Sequence, residues 1–254
     1  MFGRGVEYKT ADQIAVMRRA GAIVAEMLQT VREAAEPGAT TRDLDAVARQ
    51  VIARHGATSN FLGYHGFPAV ICTSVNDEVV HGIPGDRELV AGDLVSVDAG
   101  AIVQNWHGDA AVTIGVGQLE AADAELSRVT EAALWAGIEA ARPGARLGDI
   151  GHAITASVRA AGDYGIVEGF TGHGIGTAMH MDPDVPNTGR AGQGMKLKPG
   201  LVIAIEPMVS RGSPYTQILE DDWTAVTVDG SRAAHWEHTV AITADGPVVL
   251  TLPA

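Results

Sequence analysis

An internal echo limits what this chain can fold into. Laying Pro37 on Pro143 also brings Gly38, Ala39, Asp43, Gly56, Gly63 and Gly66 onto Gly144, Ala145, Asp149, Gly162, Gly169 and Gly172. Glycine-rich loops can coincide by accident in a chain with 31 glycines. A shared Pro-Gly-Ala opening, followed by helical stretches of matching length, is better explained by duplication. Two related halves are therefore expected to meet in a pseudo-symmetric sheet, with a site between them.

The local patterns supply the elements of each half. Thr10-Ala-Asp-Gln13 is a capping-box pattern, and Ile14, Met17, Val24, Leu28 and Val31 keep one helical stripe apolar until Pro37-Gly38 stops it. A second helix is predicted over 41–56 with Leu44, Val47, Val51 and Ile52 facing inward, and two more over 121–141 and 147–161, stopped by Pro143-Gly144 and Gly162. Short β-type runs occupy 69–74, 94–98, 110–114, 201–205, 224–228 and 239–242. Helices and strands come in blocks, which gives an α+β class with a mainly antiparallel sheet. No Pro/Ser-rich linker or charge run divides the chain, so 1–254 is read as a single domain.

Five side chains in this frame carry metal-type chemistry: Asp98 in Val-Asp-Ala-Gly, Asp109 in His-Gly-Asp, His173 in Thr-Gly-His-Gly-Ile-Gly, Glu206 in Ile-Glu-Pro-Met and Glu237 in Trp-Glu-His-Thr. A carboxylate can bridge two cations, so four carboxylates and one imidazole can hold two metals and leave a bridging position for water. Asp98 and Asp109 flank a stretch rich in Gly, Asn and Gln that can return as a hairpin, which places both acids at neighbouring strand ends. Two acids so close repel unless a cation keeps both ionised. Glu206 ends the aliphatic run 201–205, where a bare carboxylate would be costly to desolvate, and the nearest bases, Arg211 and Arg232, lie in turn-like segments. Mostly oxygen ligation with one imidazole suits Mn, Fe(II) or Co(II). His81 and His180 are placed to donate hydrogen bonds to a scissile amide and a developing oxyanion. The other histidines, His235 among them, are read as structural or supporting, with His107 and His238 the expected supports because they adjoin or nearly adjoin ligands. The chain is expected to be an enzyme.

Composition excludes other classes. With 18 Lys+Arg against 31 Asp+Glu and no basic cluster, nucleic acid is not an expected partner. The single Cys72 excludes an intrachain disulfide and fits a reducing compartment. The opening residues lack the apolar core of a signal peptide and no aliphatic run could span a bilayer, so a cytoplasmic protein is expected.

The segments Gly-Tyr-His-Gly-Phe-Pro, Asn-Asp-Glu-Val-Val-His-Gly-Ile-Pro, Thr-Gly-His-Gly-Ile-Gly, Ile-Glu-Pro-Met and Trp-Glu-His-Thr, with Met17-Arg18-Arg19-Ala20-Gly21 in the opening helix, together resemble bacterial type I methionine aminopeptidases over nearly the whole chain. The resemblance implies a pita-bread fold, two pseudo-symmetric halves around a dinuclear metal site. It implies that Asp98, Asp109, His173, Glu206 and Glu237 hold two divalent ions (Co, Mn or Fe(II)), with Asp109 and Glu237 bridging. It further implies that Glu206 takes the proton of a metal-bridged water attacking the first peptide bond, while His81 and His180 contact substrate. Initiator methionine would leave nascent polypeptides when the second residue is small. By position Tyr64, Phe67, Cys72 and Trp223 match the family's methionine pocket. Phe61 stands where relatives often carry a small residue and Met179 where an aromatic is common, which predicts an exchange of bulk that keeps pocket volume. The long N-terminal extensions of some relatives are absent, so any transient ribosome contact would use the core surface; nothing demands more than a monomer. Two rivals share the fold: the proline-specific peptidases, which usually carry a further N-terminal domain, and non-catalytic binding modules, which have lost ligands that are all present here.

Overall fold

Why the helices begin and end where they do is visible in their first and last residues. The computed structural model describes residues 5–253; residues 1–4, part of the opening read for a signal peptide, and residue 254 lie outside the described residues. Helix α1 (Ala11–Ala34) opens on Thr10, whose hydroxyl accepts the Gln13 N–H while the Gln13 side chain accepts the Thr10 N–H. Helix α2 (Thr41–His55) opens on Thr40 with Asp43 in the reciprocal role and ends at Gly56 in the left-handed region, φ 60°. Strands β1 (Thr58–Ser59), β2 (Ile71–Val75), β3 (Glu78–Val80), β4 (Leu94–Val103) and β5 (Trp106–Gly115) follow, with one 3-10 turn at Tyr64–Gly66. Then come α3 (Ala121–Ala140) and α4 (Leu147–Ala161). The chain closes with β6 (Gly165–Ile166), β7 (Gly172–Gly174), β8 (Met181–Val185), β9 (Val202–Ile205), β10 (Met208–Ser210), β11 (Thr216–Ile218), β12 (Ala225–Thr227), β13 (Ala233–His235), β14 (Glu237–Thr243) and β15 (Gly246–Val249).

The duplication read from sequence is a duplication of structure. Gly38 and Gly144 have φ of 93° and 91°, and their N–H groups donate to Leu89 O and Leu197 O, each at 2.9 Å. Asp43 and Asp149 then cap the matching helices by accepting the N–H of Thr40 at 2.8 Å and of Arg146 at 2.7 Å. Each half has its own core. Met27, Leu28, Val31, Leu44 and Val51 of α1 and α2 pack on Val95, Val97, Ala99, Ala110, Val112 and Ile114. Leu126, Leu134, Ile150, Ile154 and Val158 of α3 and α4 pack on Ile203, Ile205, Val240 and Ile242. Burying each such large aliphatic side chain contributes about 1.5–3 kcal/mol.

The main sheet joins the halves in the antiparallel order β1-β4-β5-β14-β9-β7-β8, with β2 added on β4 and β15 on β14. Two three-stranded sheets, β13-β10-β6 and β11-β12-β3, complete it. Side chains alternate across a strand. Because Val97 and Ala99, Ala110 and Val112, Ile203 and Ile205, and Val240 and Ile242 face the helices, their neighbours Asp98, Asp109, Glu206 and Glu237 face away from them.

The β4-β5 hairpin runs longer than expected. Its ladder continues to the pair Val103 and Trp106 and turns through Gln104 and Asn105, whose φ values of 50° and 64° suit the tight two-residue turn. Asp98 and Asp109 are therefore interior to their strands rather than at strand ends. His173, whose glycine neighbours would suit a loop, is the central residue of β7.

Candidate metal centre

Register brings the acids together. Asp98 lies opposite Ala111, and Ala111 lies opposite Glu237 on the next strand, so two carboxylates flank one methyl group in a row across three strands. Asp109, two residues before Ala111, shares that face. Its backbone is pinned to β14: its N–H donates to Thr239 Oγ1 at 3.0 Å, and the same hydroxyl donates to its carbonyl at 2.7 Å. Glu206 leaves the end of β9, where Asn187 Nδ2 holds its carbonyl at 3.1 Å. One ligand atom from each of Asp109, His173 and Glu237 lies within 4.8 Å of the others, and His173 Nε2 is 3.4 Å from Glu206 Oε1.

Among the described residues no lysine or arginine accompanies this concentration of negative charge. Burial raises the pKa of Asp98, and burial together with the nearby acids raises Asp109, Glu206 and Glu237 well above the usual carboxylate range. Neither lysine nor arginine lines the cavity. Arg211 and Arg232, the nearest bases in sequence, both donate to buried Asp123, at 2.8 and 2.9 Å. Asp98 Oδ1, Asp109 Oδ1 and Glu237 Oε1 are buried without a hydrogen-bond partner among the described residues. Orphaned anionic oxygens of this kind fit hard or borderline divalent cations, which supply the missing positive charge and make the acids ionised ligands. His173 fits the same role. Its Nδ1 faces the Gly174 carbonyl at 3.0 Å and donates to it, which leaves the Nε2 lone pair toward the acids. Burial, with His180 nearby, lowers its pKa to about 3.

All thirteen predicted site residues line one cavity of about 180 Å³. The acids and His173 form one wall. Phe61, Phe67, Cys72 and Met179 pack as an apolar cluster with Tyr64 and Trp223 against it. Phe67 meets Trp223 edge to face at 5.1 Å and Phe61 at 6.4 Å. His81, at a φ of 62°, stands between Phe170 and Trp223, and burial lowers its pKa to about 4. His180 Nδ1 is 2.8 Å from the Tyr64 hydroxyl, and its ring lies 4.3 Å from that of His173.

The two expected supporting histidines behave differently. His107 Nδ1 meets Asn60 Oδ1 at 3.0 Å, and Asn60 in turn donates to the Gly108 carbonyl beside Asp109. His238 faces the helices, as the alternation after Glu237 requires; it bonds Thr251 Oγ1 at 2.9 Å and meets Trp135 edge to face at 5.6 Å, away from the acids. The histidine beside the site is instead His235. It is buried, its Nε2 has no partner among the described residues, and that atom lies 3.7 Å from Glu206 Oε2. Its spacing of two from Glu237 was a usable signal, since such residues share a strand face. Phe170 and Thr171, also in the lining, come just before Gly172 and His173 and were not singled out from the sequence.

Comparison with known proteins agrees with this geometry. Residues 15–244 match the model of metallopeptidase family M24. The chain is 54% identical to methionine aminopeptidase 1 of Mycobacterium tuberculosis, covering 98% of this chain and 96% of that protein. It is 46% identical to methionine aminopeptidase 1 of Bacillus subtilis, covering 96% and 98%. The crystal structure of a Thermotoga maritima methionine aminopeptidase superposes with a TM-score of 0.96 at 43% identity, covering 98% of this chain and all of that one. A prolidase from Pyrococcus furiosus shares the fold at a TM-score of 0.78 and 23% identity, with 97% of this chain and 66% of that one covered. With its pita-bread sheet, its enclosed cluster of acids and these relatives, the chain belongs to metallopeptidase family M24, among the bacterial methionine aminopeptidases.

Proposed function

We propose that this protein is a metal-dependent aminopeptidase that removes the N-terminal methionine of peptides and nascent proteins whose second residue is small. The observation that carries the reading is the convergence of four enclosed carboxylates and one imidazole on a cavity whose opposite wall is apolar. Asp98, Asp109, His173, Glu206 and Glu237 would hold two divalent ions, Mn, Co or Fe(II), with Asp109 and Glu237 shared. Such ions, when bound, lower the pKa of water and polarise a peptide carbonyl.

The remaining roles belong to the chain's own side chains. Glu206, beside His173 at 3.4 Å and His235 at 3.7 Å, serves as the proton acceptor. His81 and His180 stand on the cavity wall and donate hydrogen bonds to the amide nitrogen side and the oxygen of the scissile bond. Low pKa values from burial keep both rings neutral near pH 7, so each is a hydrogen-bond partner rather than a charge. Phe61, Tyr64, Phe67, Cys72, Met179 and Trp223 enclose the methionine side chain and exclude water. A cavity of about 180 Å³ suits one such side chain. Phe61 and Met179 share this cluster, which supports the exchange of bulk between them.

The catalytic unit is taken as 1–254, acting as a monomer in the cytoplasm, with transient ribosome contact as a further expectation. No helix among the described residues is long and apolar enough to cross a membrane. Proline-specific cleavage is the second reading, supported only by shared fold. Hydrolysis of Met-Gly-Met-Met and Gly-Pro-Ala by metal-stripped protein, with Mn(II), Co(II), Fe(II) or Zn(II) restored, separates the two. Metal-dependent release of methionine alone is expected; cleavage before proline, or no cleavage with any metal, would overturn the proposal.

A further inference from the structure

Lys9 is a buried lysine that the chemistry above does not use. Its side chain is 1% exposed, whereas Lys196 and Lys198 lie at the surface. Burying an ammonium is costly unless it is paired. Its Nζ donates to the Glu7 carbonyl at 3.1 Å and lies 3.5 Å from Glu7 Oε1. The other carboxylate oxygen of Glu7 accepts the Thr177 hydroxyl at 2.6 Å. The strap carrying both residues is fastened to the sheet, with Lys9 N–H donating to Gly200 O at 2.7 Å and Tyr8 bridged to Leu201.

What the pair lies across is the segment that delivers part of the cavity wall. A Cβ on Gly176 would come within 2.4 Å of both Glu7 Oε1 and Lys9 Cε, so a larger residue there would have to push these two side-chain ends aside. From Gly176 the chain is held by His107 N–H to its carbonyl at 3.0 Å and by its own N–H to Ala178 O at 3.1 Å. After Thr177 and Ala178, Met179 and His180 enter the cavity, where the Tyr64 hydroxyl meets His180. His180 thus has two anchors, its own hydrogen bond to Tyr64 and the contacts at Gly176 four residues earlier in the chain.

We propose that Glu7, Lys9 and Gly176 form a latch that positions Met179 and His180 for substrate. Glu7 and Lys9 are positioning residues and do not touch the reacting atoms. The functional meaning of the latch rests on the proposed aminopeptidase reading, but its structural effect does not.

The test is a double-mutant cycle on metal-loaded full-length protein with a methionyl peptide. Lys9→Met keeps the apolar stem and removes the ammonium, and Gly176→Ala pushes the Glu7 and Lys9 side-chain ends away from the segment. Each should lower kcat/KM about tenfold, mostly in kcat, in the native background and less than twofold in a His180→Ala background. A purely structural role would give the same fold-change in both backgrounds, and that result would overturn the latch. Should either variant fold poorly, Thr177→Val removes only the outer hydrogen bond and should lower turnover, with rescue by Thr177→Ser; no loss in the valine variant would count against the latch. A readout independent of activity is the imidazole NMR spectrum of metal-free protein. The His180 ring resonances should move in Lys9→Met and Gly176→Ala while those of His152, exposed on α4, stay, and unmoved His180 signals would overturn the proposal. Absence of methionine release by the native protein would instead count against the functional reading alone.

Discussion

Stripping the metal should leave a protein whose stability falls as pH rises, because its acids then lose the cations that keep them ionised. In the metal-free fold the pKa of Asp98 is raised by burial to about 7, and Asp109, Glu206 and Glu237 are raised well above their ordinary values. A carboxyl whose folded pKa is raised contributes stability that is present below its unfolded pKa and lost as pH rises through the folded one. Neighbouring groups have the opposite sign. His173, His235 and His81, lowered to about 3, 3 and 4, lose stability as pH falls below their unfolded value near 6.5. Lys9, lowered by burial, gains with rising pH. The cleaner window is therefore about pH 7 to 9, where the six lowered histidines, His107, His180 and His238 included, together oppose the fall by only about 1 kcal/mol. There Asp98 alone should cost about 0.4 kcal/mol, and a carboxyl still protonated throughout up to about 2.7 kcal/mol. Asp98 plus one such partner, less the histidines, gives about 2 kcal/mol, or roughly 4–8 °C in Tm for a chain of this size. Differential scanning calorimetry of chelator-treated protein across that window should show the fall. Saturating Mn(II) should abolish it, since ionised ligands bind metal better as pH rises. Asp109→Asn should shrink the slope in metal-free protein while leaving Lys9 unchanged. A metal-free Tm flat to within about 2 °C, or an equal slope in Asp109→Asn, would refute the reasoning.

Four further outcomes follow from the same geometry. Glu206→Gln should fold and lose at least about a thousandfold in kcat, while His81→Ala should lower kcat by about 10²–10⁴ with a smaller change in Mn(II) affinity, read by steady-state kinetics beside calorimetric titration. Phe61→Cys should open the apolar wall shared with Phe67 and Met179, raising methionyl-peptide KM about tenfold and admitting bulkier first residues in a peptide panel; unchanged KM and selectivity would refute the exchange of bulk. Asp123→Ala should cost about 2–3 kcal/mol in urea unfolding, less than for a fully buried pair because Arg211 and Arg232 are 39% and 30% exposed and can rehydrate.

What the sequence made legible was set by short-range rules. Thr10, Thr40 and Gly56 mark helix ends because capping is local, and the pairing of Pro37-Gly38 with Pro143-Gly144 marks the duplication because a turn needs the same backbone freedom in both halves. Asp98 and Asp109 fall on adjacent strands as expected, since apolar neighbours at alternate positions fix which way each acid faces. Register and packing were less legible. Nothing local says that Ala111 stands between Asp98 and Glu237. The contrast between His238 and His235 required the alternation to be applied through Glu237 into both neighbouring strands. His173 looked like a loop residue because β7 is three residues long with glycine on both sides. Phe170 joins the site through tertiary contact, which no spacing announces.

Calorimetric titration of metal-free protein with Mn(II), run beside Asp109→Ala, tests most directly whether the enclosed acids and His173 form a two-metal centre. Tight uptake of two equivalents by the native chain is expected, with loss of that uptake and of methionine release in Asp109→Ala. No tight uptake by the native chain, or the same stoichiometry and affinity in the variant, would contradict a metal centre built on these residues.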